Sequence, residues 1–187
     1  MKYLFIVILA AISLHLKSQD FRKANWGESI VMVKSKETAD IISEKSNGDM
    51  LYYASLLGDK KVEIAYKFVG NKLVRAKYIF KEVHSNKNVY YTDYLNFKSM
   101  LTKKYGEPTK YEQKWLDETY KDEIDRIGYS LSTGKVVIFE SWDLPKTEIT
   151  HAIYGEKNQI SHAIEYTSKN FAYLEKDAKK KSAMDDL

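Results

Sequence analysis

The sequence predicts an α+β fold: two helix-plus-antiparallel-strand repeats forming a two-layer sandwich, with the helices on one face of the sheet. Three observations predict it. Apolar residues alternate with polar ones on both sides of a Gly70-Asn71 turn, the signature of a hairpin. A helix-period stripe ends at Gly106, with Pro108 just beyond. The order helix-then-strands occurs twice, about 21–85 and 88–168.

The chain has 187 residues, enough for one well-buried core, with 44% hydrophobic residues and only 2 prolines. It opens MKYLFIVILAAISLHLKSQ, a lysine before an apolar run and then a polar exit. That pattern reads as an export signal over 1–18, with the mature chain beginning near Gln19 and an uncleaved N-terminal anchor as the alternative. The expected location is periplasmic or secreted, with no integral membrane span after cleavage. There is no cysteine, so disulfides, thiolate metal sites and cysteine nucleophiles are excluded. Net charge is +4, and loss of Lys2 and Lys17 with the signal lowers it. The lysines are interleaved with acids and form no basic stripe, which argues against nucleic acid as a partner.

Ser29 is the expected N-cap of a helix from 30 to about 38. Trp26, ahead of the cap, can fold back on the first turn, and Gly27 permits the bend between them. Stacking of Trp26 on a sugar or peptide is the functional alternative. A strand follows over 50–57, turned at Gly58-Asp59. Next come the two halves of the hairpin, Val62-Ile64-Tyr66-Phe68 and Val74-Ala76-Tyr78-Phe80. In the second half, Tyr90, Tyr94, Phe97, Leu101 and Tyr105 form one helical stripe. A polar connection is expected over 109–125. Strands are expected around Ile127-Tyr129-Leu131, over 136–142, 146–154 and 159–167, and a charged tail over 169–187 that frays or forms a loose last helix.

The motifs resemble those of a group of small exported bacterial proteins with no assigned activity. The matching residues are Phe21, Arg22, Trp26, Gly27, Ser29, Val33, Lys34 and Glu37, then "NKLVRAKYIF", "LTKKYGEP", and a late strand pair holding Thr147, Ile149 and "ISHAIEYTS". One departure is Ile127, where a tryptophan would precede the glycine. More distantly, the duplicated pattern resembles the β-lactamase-inhibitor-like repeat fold. That resemblance implies a sheet that binds protein or peptide.

The sharpest chemical candidate is a histidine pair. If the "GEKN" turn places Tyr154 opposite Gln159, then His151 faces His162, Ile149 faces Ile164 and Ile153 faces Ile160. Two imidazoles in that position could share a zinc ion, with Glu140 or Glu148 as the only acids near enough to add. The structural alternative is a partly buried pair bonded to each other or to tyrosine hydroxyls. The acids Asp117, Glu118, Asp122, Glu123 and Asp125 contain no glycine between them, so they read as a solvated loop and not a calcium site. No nucleophile elbow, P-loop, zincin or dinucleotide motif is present.

Fifteen tyrosines form the remaining surplus. Tyr52, Tyr53, Tyr91 and Trp142 are the candidate contact residues, because adjacent aromatics cannot all face inward. The expected function is therefore non-enzymatic: binding of an envelope or extracellular protein, peptide or glycan through an open sheet face, without a cofactor. A metal-dependent or enzymatic site at His151 and His162 is the alternative.

Overall fold

The computed structural model describes residues 19–185. The export signal expected over 1–18 lies outside the described residues. The elements are α1 (Ile30–Lys36), β1 (Asp40–Ile41), β2 (Met50–Leu57), β3 (Lys60–Val69), β4 (Lys72–Phe80), α2 (Asn88–Tyr105) and β5 (Lys110–Trp115). A 3₁₀ turn (Ile124–Arg126) leads into α3 (Ile127–Ser132), followed by β6 (Val136–Asp143), β7 (Thr147–Glu156), β8 (Gln159–Ser168) and α4 (Ala172–Asp185). All eight strands form one antiparallel sheet in the order β1-β2-β3-β4-β8-β7-β6-β5. The fold is α+β.

The hairpins follow the local chemistry. Asn71 and Gly70 both sit at positive φ, the geometry of a two-residue turn, and pair Val69 with Lys72. In α1, the Ser29 hydroxyl accepts from Met32 N–H and the helix ends one residue before Glu37. In α2, Gly106 at φ 84° donates its N–H to Thr102 and ends the helix as its sequence implied.

The face carrying Ile64, Tyr66, Tyr78, Ile164, Ile149 and Ile138 is covered by α1, α2 and α3. Fully burying a side chain such as Ile64 is worth about 1.5–3 kcal/mol, so this face drives folding. Two apolar clusters result. One gathers Phe21, Trp26, Val33, Leu51, Phe97 and Trp142 with the central strands, and the other gathers Tyr94, Ile127, Leu131 and Val136. The fourth helix is on the other side. Glu175 of α4 reaches Lys67 and Arg75, which point outward from β3 and β4, so the helices are not confined to one face.

Most of the opening motif is built into the fold. Trp26 is nearly buried, and its Nε1–H donates to Thr147 Oγ1 at 2.8 Å, tying the N-terminal segment to β7. Gly27 at φ 83° lies under the Phe171 ring, where a Cβ would come within 2.7 Å. Arg22 grips Glu37 with two parallel bonds of 2.9 and 3.0 Å. Burial alone would raise the Glu37 carboxyl. The Tyr66 hydroxyl, Arg22 and the N–H groups of Ala39 and Thr38 outweigh it and hold the group below its ordinary value.

Three further expectations need correction. Residues 110–115, expected as part of a polar connection, form the edge strand β5, with Tyr111, Gln113 and Trp115 opposite the inward residues of β6. The Ile127-Leu131 stretch is the short helix α3, not a strand: Ile127 and Leu131 are four apart on its buried side while Tyr129 points outward. The last hairpin turns at Lys157-Asn158, both at positive φ, so Glu156 and not Tyr154 stands opposite Gln159.

Candidate functional site

That turn decides the histidine geometry. His151 pairs with Ile164, and His162 pairs with Ile153, so the two histidines are diagonal neighbours and not directly opposed. A shift of the turn by one residue moves each partner by two, which preserves the face. The rings therefore still meet, with Nε2 to Nε2 at 2.7 Å. Both residues are buried under α2, at 0% and 4% exposure.

The pair is the end of a longer chain. His151 Nδ1 is 2.8 Å from Glu140 Oε1, and Tyr94 O–H donates to Glu140 Oε2 at 2.8 Å. Lys98 Nζ is 3.4 Å from the same carboxylate oxygen. Glu140 comes from β6 directly opposite His151, while Tyr94 and Lys98 lie one helical turn apart on α2. Phe80 stacks on His162 with ring centroids 3.8 Å apart, and Tyr94 stacks on His151 at 4.3 Å. The polar chain thus sits between rings of the two apolar clusters.

Protonation follows from these contacts. Burial would raise Glu140, but His151 and Tyr94 bond to the carboxylate and Lys98 adds its charge, so it titrates below its usual value. Burial pushes the His151 ring down and Lys98 adds to this, against the pull of Glu140. Burial, then the neighbouring His151, pushes His162 well down. Neutral rings beside an ionised Glu140 fix the donors. His151 Nδ1–H donates to Glu140, and His162 Nε2–H donates to His151 Nε2. Burial and Glu140 also raise the Tyr94 hydroxyl, which stays a donor.

This arrangement is a relay, not a convergent ligand set. Two nitrogens on one tetrahedral ion stand about 3.3 Å apart with lone pairs aimed at a common point. Here one Nε2 aims at the other across a hydrogen bond. Among the described residues, no three of His, Asp and Glu are grouped to hold a metal ion. Glu148 is exposed on the opposite face of β7.

Of the aromatic candidates, Tyr52 lies on the outer face of β2, beside Lys67 and Glu175. Tyr53, one residue on, points inward and is 4% exposed, its ring edge-on to Tyr66. Trp142 is 1% exposed, and its Nε1–H donates to the carbonyl of Gly106. Tyr91 is half-buried on α2, stacked 6.2 Å from Tyr94. The acid cluster is solvent-facing: Asp117 is paired with Lys135, Glu118 with Lys121 and Glu123 with Arg126.

The chain matches no protein family and no solved structure.

The outer sheet face differs between its two halves. On β3 and β4, α4 covers Lys67 and Arg75. Across β5 to β7 the outward residues include Val137, Phe139, Ala152 and Tyr154, interspersed with Glu112, Ser141 and Thr150 and ringed by Lys110, Lys114, Glu148 and Asp143, and no helix of the described residues packs on them. Tyr154 is 47% exposed, and Lys110 sits over the Phe139 ring at 4.9 Å. Sequence reasoning missed Phe139 and Tyr154 as outward aromatics. The alternation of β6 and β7 carried that signal, since Phe139 and Tyr154 are out of phase with Ile138 and Ile153.

Proposed function

We propose that the protein is an exported, non-enzymatic binding protein that holds an envelope or extracellular protein partner on the outer face of β5 to β7. The observation that carries this reading is the uncovered centre of Phe139, Val137 and Ala152, flanked by exposed Tyr154 and rimmed by charge of both signs. Apolar and aromatic centres with polar rims are the anatomy of protein interfaces. The inner-face histidines serve this function only by fixing α2 to the sheet.

The resemblance to small exported bacterial proteins supports the location, and the strand order supports the two-repeat sandwich. β1 to β4 and β5 to β8 are each a four-strand meander preceded by a helix, and the two join through β4 and β8. This is also the arrangement that the resemblance to the inhibitor-like repeat fold implies, with a sheet face left for contact. The test is affinity capture from an envelope fraction with the protein and with a Phe139→Ala, Tyr154→Ala variant. A partner recovered by the parent and lost by the variant supports the reading. Equal recovery of every partner by both overturns it.

A further inference from the structure

A cleft of 580 Å³ opens on the inner side of the sheet, at the seam where β4 meets β8. Its floor is aromatic and apolar. Tyr78 and Tyr166 project from the two seam strands, and Phe21 packs on both, with ring centroids at 5.0 and 4.9 Å. Ile149 of β7 lies beneath these rings, fully buried. One wall is the end of α2, with Lys104 and Tyr105, and the other is the Leu144-Pro145-Lys146 turn between β6 and β7. That turn is held from both sides: Leu144 N–H donates to Thr147, and Lys169 N–H donates to Lys146. The walls are therefore preformed, and the volume falls in the range of small-molecule sites.

The charges of the lining are uneven. Arg22 is engaged by Glu37 and held there by two bonds. No carboxylate of the described residues lies within ion-pair range of Lys104 or Lys146, and Lys104 rests only against the Tyr105 ring at 4.9 Å. Asp20 is the one carboxylate of the lining, and its Oδ2 accepts the Trp26 N–H. The Tyr166 hydroxyl is raised by burial and then by neighbouring Tyr105, to which it is hydrogen-bonded, so it stays protonated and adds no negative charge to the floor. A phosphate would favour a free arginine fork, and the Arg22 fork is taken up by Glu37. Two uncommitted ammonium groups over a ring-lined floor fit one acid group on a flat apolar body.

We propose that this cleft is a binding site for a small carboxylic acid with a ring-sized apolar body, held by Lys104 and Lys146 over Phe21, Tyr78 and Tyr166. The site is separate from the outer sheet face and does not depend on the partner proposed above.

Calorimetric titration of the purified protein with 2-naphthoate and with 2-naphthamide tests it, since the two differ in charge and hardly in shape. The acid is expected to bind about tenfold tighter than the amide. Lys104→Gln and Lys146→Gln should each remove about threefold, and the double variant should bind both probes alike. Both lysines are exposed and neither is ion-paired among the described residues, so the variants are expected to fold as the parent does. A peptide ending in Phe, with free or amidated terminus, is a third arm. Preference for its free acid together with naphthoate supports the site, and preference for the peptide acid alone assigns the carboxylate to a chain terminus. Equal binding of acid and amide, no binding of any probe, or a charge preference that survives the double variant would overturn the proposal. Phe139→Ala, Tyr154→Ala should leave naphthoate binding unchanged, which separates this test from that of the outer face.

Discussion

His162 Nε2 stands 2.7 Å from His151 Nε2 although neither residue is the other's cross-strand partner. Their contact requires at least one ring to be neutral, because one nitrogen must accept, and burial favours the neutral form of both. Each ring titrates below its ordinary value in the folded state. Between the folded and unfolded values the unfolded chain binds more protons, so stability rises with pH there. The stabilisation is fully present above about pH 6.5 and is lost as pH falls through the folded values. Urea denaturation at fixed steps from pH 7.5 to 5 should show stability falling by up to about 1.4 kcal/mol per pH unit for each ring. His162→Leu should lower stability throughout and roughly halve that slope. A flat profile over this range contradicts the relay.

Glu140 is fully buried and accepts from both His151 and Tyr94. Glu140→Ala leaves two buried donors without partners and the Lys98 ammonium without its carboxylate. The expected loss is about 3–5 kcal/mol, read as a drop in denaturation midpoint. Glu140→Gln keeps an acceptor and should lose less.

The regular parts of the fold were legible because period and turn chemistry agreed. Val62 to Phe68, Gly70-Asn71 and Val74 to Phe80 each point to the same hairpin, and the α2 stripe ends on a glycine. The failures share a cause: few residues and competing periods. In Ile127-Tyr129-Leu131, three apolar residues at period two read as a strand. Burial of Ser130 between them and of Ser132 just beyond is visible only in three dimensions. "KYEQKW" hides an edge strand because charge on its outward side is how sheet edges avoid further pairing. The histidine pair was found from hairpin parity, but Tyr94 and Lys98 were not, since their role depends on how α2 crosses the sheet. The Lys157-Asn158 turn lacks glycine, so nothing local placed it over its neighbours.

Gly128 is the tightest backbone approach in α3. A Cβ there would meet the Lys87 carbonyl carbon at 2.3 Å and Asn88 N at 2.4 Å, both backbone atoms at the start of α2. Its N–H also donates to Asn88 Oδ1 at 2.8 Å. Gly128→Ala must push the two helices apart, and a loss of about 2–3 kcal/mol is expected. Gly48 has nothing within 4 Å of its Cβ position and no positive φ. Gly48→Ala should be neutral or stabilise by up to about 1 kcal/mol. Melting temperatures of the two variants, measured side by side, check the contrast.

Glu175 is the one buried residue of α4, bridging Lys67 Nζ and Arg75 Nη2 at 2.5 Å each. Burial would raise its carboxyl, yet Lys67 and Arg75 hold it below the usual value. The rest of α4 is rich in lysine and solvent-facing, so the helix is attached by charge more than by apolar area. Such an attachment is salt-sensitive and opens locally without global unfolding. In Glu175→Ala, amide exchange over 172–185 should speed up by more than tenfold, while β3 and β4 keep their protection. Raising salt to about 1 M should speed the same amides in the parent and change the variant little. Accelerated exchange in the central strands, or an α4 indifferent to both changes, would show instead that apolar packing holds the helix.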